Sequence, residues 1–127
     1  MPSSAGAEFA AAVAAKDWQR AEALLDPGVD FRALTPRRTW EASEAATVTA
    51  EVLSRWFGAS DVIDEVVAVE EREPVADRSQ VSYRLRGNNG DGPFVVEQQA
   101  FYSTEDGRIT WMRILCSGFR PDDPAAG

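Results

Sequence analysis

The periodicity of the chain changes at Gly58, and that change limits its fold more than any other feature. Before Gly58 apolar residues recur at helical spacing; after it come four β runs separated by short turns. In AEFAAAVAAK, residues Phe9, Ala12, Val13 and Lys16 share one side of a predicted first helix. Asp17 can cap a second, DWQRAEALL, whose Trp18, Ala21, Leu24 and Leu25 repeat until Asp26-Pro27-Gly28 stops it. VDFRALT alternates Val29, Phe31 and Ala33 with Asp30 and Arg32 as a strand does, and PRRTW reads as a turn into a short strand. Ser43 can cap a third helix from about Glu44 to Phe57, with Ala45, Val48, Val52, Leu53 and Trp56 on its apolar side. The β runs cover about 61–73, 78–87, 93–104 and 108–119, divided by Glu73-Pro74, GNNGDG and EDG. Helices followed by a meander of strands is the pattern of an α+β fold with its helices on one face of an antiparallel sheet. The polar tail PDDPAAG is expected to fray.

A length of 127 residues suits one domain with one core, here expected to be ordered over about 7–119. No apolar run approaches the roughly eighteen residues of a membrane span, so no membrane association is expected. MPSSAGAEF has neither the basic start nor the apolar block of a secretory signal, and the single Cys116 fits a reducing compartment, which together point to the cytoplasm. A net charge of −8 repels a phosphate backbone and argues against nucleic acid as the main partner. The chain has no histidine, which excludes Ser-His-Asp and Cys-His nucleophile devices and histidine-based zinc sites. CxxC pairs and glycine-rich phosphate loops are also missing, so neither a cofactor nor a metal is expected.

One strand stands out. FVVEQQAFY, from Phe94 to Tyr102, is apolar at both ends yet carries Glu97, Gln98 and Gln99 at its centre, where a purely structural strand would hold Val or Ile. Polar groups in that place suggest a site. Two interleaved sets compete for the inner face: Val95, Glu97, Gln99 and Phe101, or Val96, Gln98, Ala100 and Tyr102. Both are mixed, so apolarity alone does not choose between them.

The element order, with LLDPGVDF, FYSTEDGRI and the strand ending in DGRITWMRILCSGF, resembles the nuclear transport factor 2-like superfamily, in particular its SnoaL-like and ketosteroid isomerase-like proteins. The resemblance covers Phe9 to Phe119 and implies a strongly curved sheet wrapped into a cone around three helices, with a ligand at the open end. Laid on the ketosteroid isomerase pattern through GRITWMR, the position of a cavity acid falls on Gln99, which would turn Glu97, Gln99 and Phe101 inward. Tyr83 on the preceding strand, and Thr110, Met112, Ile114 and Cys116 on the last, would join them. The resemblance then implies Glu97 as general acid or base, Tyr83 and Gln99 as orienting groups, and Phe31, Trp40, Phe101, Thr110, Met112 and Cys116 around the ligand. Trp111, Arg113 and Leu115 would lie on the convex face beside Val96, Ala100 and Tyr102, an apolar patch through which a homodimer is expected.

The tyrosine and two acids of the ketosteroid isomerase site fall on Phe9, Ala33 and Gln99, so that machinery is absent. The Arg and Asp set of limonene epoxide hydrolase-like proteins finds no counterpart in YRLRG and RITWMRILCS, and the cyclases and dehydratases of this fold lean on histidine. Two readings follow. One is a cofactor-independent isomerase, cyclase or dehydratase acting on a small apolar, polyketide- or terpenoid-like molecule. The other is a non-catalytic ligand-binding or dimeric scaffold protein of the same fold.

Overall fold

A computed structural model describes residues 4–122; most of the tail expected to fray lies outside the described residues. Helix α1, Ala5–Ala15, starts at Ser4, whose hydroxyl accepts the Ala7 N–H at 3.0 Å, and ends at Lys16 in the left-handed conformation, φ 54°. The Lys16 ammonium donates to the carbonyls of Gly58, at 2.6 Å, and Asp61, tying this turn to the end of the helical half. Helix α2, Trp18–Leu24, has the expected Asp17 cap, accepting from Arg20 N at 3.2 Å. Asp26-Pro27-Gly28 does not separate helix from strand, because β1, Leu25–Thr35, takes these residues in; β2, Arg38–Ala42, follows.

The third helix, α3, is continuous but irregular: Ala45–Thr47, then a π-helical stretch Val48–Leu53, then Ser54–Trp56. Ser43 does not cap it; Glu44 holds the cap position without a side-chain bond. Inside the widened segment the Thr49 hydroxyl lies 3.2 Å from the Ala46 carbonyl, a side-chain bond that competes with the regular helical ladder.

Strands β3 (Val62–Val75), β4 (Arg78–Asn89), β5 (Gly92–Glu105) and β6 (Arg108–Cys116) form the meander, and a short β7, Arg120–Pro121, returns to pair with β5. The sheet order is β2-β1-β6-β5-β4-β3. Every pairing is antiparallel except β1 with β6, which is parallel, because the chain passes through α3 and the meander between them. Register shifts in β3–β4, β5–β6 and β1–β6 bend the strands, and the sheet folds over the helices as the expected cone. Phe9 and Val13 of α1, Leu53 of α3 and Phe57 just after it, and Phe31, Val81, Leu85 and Met112 from the sheet fill its interior. The edge strand β3 carries Asp64, Glu65, Glu70, Glu71, Arg72 and Glu73, charges that discourage pairing with another sheet edge. No helix among the described residues is long and apolar enough to cross a membrane.

Candidate functional site

On β5 the even-numbered set faces the interior. Phe94, Val96, Gln98, Ala100 and Tyr102 are buried, while Gln99 and Phe101 are exposed and Glu97 is half-exposed. This reverses the orientation inferred from the ketosteroid isomerase pattern, and the two flanking registers give the reason. The β4–β5 hairpin closes on Asn89 opposite Gly92, which sets Tyr83 against Gln98 and Leu85 against Val96; inward residues on β4 therefore bring the even set of β5 inward. The β5–β6 hairpin would pair the opposite set, but its register shifts between Ser103 and Thr104, leaving Thr110 between the paired Ile109 and Trp111. Beyond the shift Met112, Ile114 and Cys116 face Tyr102, Ala100 and Gln98. Val96, Ala100 and Tyr102 are thus core residues and not part of the convex patch.

The expected site residues consequently divide between two faces. Tyr83 is inside, 1% exposed, and its hydroxyl donates to Gln98 Oε1 at 2.5 Å. Burial, with Cys116 adding to it, pushes the Tyr83 phenol far above its usual range, so it stays a neutral donor. Phe31 and Met112 are inside and packed, Cys116 is inside at the end of β6, and Thr110 is half-buried in the bulge, its hydroxyl 3.4 Å from the Ser103 carbonyl. Trp40 sits at the rim, packed edge-on against Trp56 with ring centres 5.9 Å apart, and its N–H donates to Thr35 Oγ1. Glu97, Gln99 and Phe101 lie on the outer face. Glu97 pairs with Arg84 at 2.9 Å and accepts from Gln99 Nε2 at 3.3 Å. A desolvated carboxylate inside the cone is therefore not what this strand provides.

At the cone mouth a cavity of about 430 Å³ is lined by Thr35, Pro36 and Arg37 of the β1–β2 turn, by Trp56, and by the segment Cys116 to Arg120. Short local contacts hold that segment. Ser117 N–H donates to the Glu97 carbonyl at 2.9 Å, and Glu97 N–H donates to Ser117 Oγ at 2.9 Å. Gly118 has φ +83° and a Cβ there would sit 2.7 Å from Pro36 Cγ, so only glycine fits this corner without strain. Phe119 packs against Phe94 and Phe57, with ring centres 4.8 and 5.3 Å away.

Two interior donors lack a partner among the described residues: Trp56 Nε1 and Gln98 Nε2. Trp56 borders the mouth together with Cys116, and Cys116 is the cross-strand neighbour of Gln98. Natively folded chains leave few such groups unpaired, because each costs on the order of 1–3 kcal/mol. Sequence reading missed both, since Trp56 counted only as an apolar helix residue and Gln98 was assigned to the convex face. The β4–β5 hairpin register was the signal that could have found Gln98.

A second depression, of about 410 Å³, lies over β3, β4 and β5 and is bordered by Glu70, Arg72, Arg84, Glu97 and Gln99. Tyr83 also borders it, although its hydroxyl points to the interior. Here the Arg84 and Glu97 charges already satisfy one another.

No protein-family model matches the chain, and no curated protein matches it in sequence. Solved structures do match. A provisionally named isomerase from Rhodopseudomonas palustris superposes with a TM-score of 0.71 over 93% of this chain and 93% of that one, at 16% identity. A provisionally named polyketide cyclase from Xanthomonas campestris pv. campestris matches at TM-score 0.66 over 86% and 84% of the two chains, 19% identical. An NTF2-like protein from Burkholderia thailandensis matches at TM-score 0.62 over 87% and 86%, 16% identical. Identities this low speak for architecture and not for activity. On the order of its elements and on these likenesses, the chain has the nuclear transport factor 2-like fold.

Proposed function

We propose that this protein binds a small, largely apolar organic molecule in the mouth of its cone. The observation that carries the reading is Trp56, which borders this aromatic-walled cavity and whose buried Nε1 has no hydrogen-bond partner among the described residues. A bound acceptor would satisfy it, and the cavity's volume is that of small-molecule sites. No carboxylate lines the mouth among the described residues, which favours binding over acid–base turnover by Glu97.

The isomerase, cyclase or dehydratase reading draws support from the same donor. A preorganised N–H group stabilises a developing oxyanion, and the Cys116 thiol belongs to a residue that borders the same cavity. A homodimer is proposed through the outer sheet face, where Phe101 is 41% and Leu115 54% exposed. Sedimentation of wild type against Phe101→Lys/Leu115→Glu tests it: a twofold drop in mass is expected, and a wild-type monomer at micromolar concentration contradicts it.

A thermal-shift screen with apolar ketones, lactones and polyketide-like compounds tests the binding site. A compound near a hundred times its Kd adds about 2.7 kcal/mol of stability, a shift of several degrees. The expected hit raises the midpoint of wild type and Glu97→Ala alike and loses most of its effect in Trp56→Phe. A compound whose effect vanishes in Glu97→Ala and survives in Trp56→Phe moves the site to the outer face.

A further inference from the structure

We infer that the molecule held at the mouth carries a carboxylate, gripped by Arg37 and Arg120 while its apolar body lies against Trp56 and Phe119; this rests on the mouth being the ligand site. Arg37 comes from the β1–β2 turn and Arg120 from β7, so two separate elements each bring a guanidinium to one cavity. Neither forms an ion pair among the described residues. Their neighbours are already engaged: Arg38 lies 3.7 Å from the centre of the Trp40 ring, and Asp122 pairs with Arg86 at 3.1 Å.

The absence of any acid from the described lining makes the mouth a cationic spot on a chain whose net charge is −8. That combination selects a singly charged anion. The guanidinium forks attract the charge locally, while the field of the whole molecule repels each further negative charge a polyanion would bring. Trp56 supplies the independent observation: the residue is 9% exposed and its Nε1 has no partner among the described residues. A carboxylate has about four lone-pair positions, enough to accept from a guanidinium fork and from an indole N–H together. The Trp56 and Phe119 rings and Pro36 then give the attached body an apolar wall.

The test uses ¹⁵N-labelled protein, whose four tryptophans give four indole N–H signals, with Trp56 assigned by Trp56→Phe. The probes are 2-naphthoate and its neutral counterpart 2-naphthamide, which share a ring system and differ in charge. Naphthoate is expected to move the Trp56 indole signal downfield and to bind about tenfold more tightly than the amide. Arg37→Gln and Arg120→Gln, both at exposed positions and checked for an unchanged spectrum, should each weaken naphthoate about fivefold or more and leave the amide unaffected. Raising salt from about 0.05 M to about 0.3 M should weaken naphthoate alone. Equal binding of acid and amide, both shifting Trp56, overturns the carboxylate inference and leaves the mouth as the ligand site. Binding of either probe with no response at Trp56 overturns the inference and the site together.

Discussion

Tyr83 and Gln98 make one buried polar unit, and its two ends differ: the phenol is satisfied by Gln98 Oε1, while Gln98 Nε2 has no partner among the described residues. Such a unit has a pH signature. An unfolded tyrosine loses its proton near pH ~10. The folded chain holds that proton to much higher pH because burial disfavours the phenolate. Tyr83 therefore contributes stability that is fully present below about pH 10 and declines above it, by up to about 1.4 kcal/mol per pH unit. Tyr83→Phe should cost about 1–3 kcal/mol at neutral pH, because Gln98 Oε1 loses its donor, and should flatten the alkaline decline. Urea midpoints for both proteins from pH ~8 to pH ~11 check this. Parallel alkaline declines would mean that the phenol is not protected. Glu97, by contrast, is one half of a surface pair with side chains 52% and 32% exposed, a kind worth about 1 kcal/mol at most.

At the scale of elements, β5 holds both what the sequence makes legible and what it hides. Its existence, its bounding turns and its polar centre can be read directly, because Gly92-Pro93 and Glu105-Asp-Gly107 punctuate a β-rich run. Its facing cannot be read from β5 alone, since Glu97 and Gln99 alternate with Gln98 and neither set is purely apolar. The hairpin to β4 fixes the facing, and the bulge at Thr110 hides it from anyone counting back from β6. The π-helical stretch of α3 and the return strand β7 also leave no clear mark, as one extra residue per helical turn and a two-residue strand are set by packing. A pair of aspartate substitutions tests the facing. Ala100→Asp buries a charge in the core and should cost about 3 kcal/mol or more, whereas Gln99→Asp on the outer face should stay within about 0.5 kcal/mol. Equal costs in chemical denaturation would contradict the register.

For the whole molecule, the cone was legible because helix-then-meander order admits few packings, while the position of its chemistry was not. Trp56, whose buried Nε1 has no partner among the described residues, meets the Cys116 to Arg120 segment at the mouth. The outer depression is the competing location, and it contains Glu97 and Gln99. The decisive measurement is a backbone and indole ¹H–¹⁵N shift map of the wild-type protein with a bound compound from the thermal screen. Perturbations gathered at residues 35–37, at Trp56 and at 116–120 are expected if the mouth is the ligand site. Perturbations gathered at 67–72, 80–84 and 97–99 would place the ligand on the outer face and contradict the proposal.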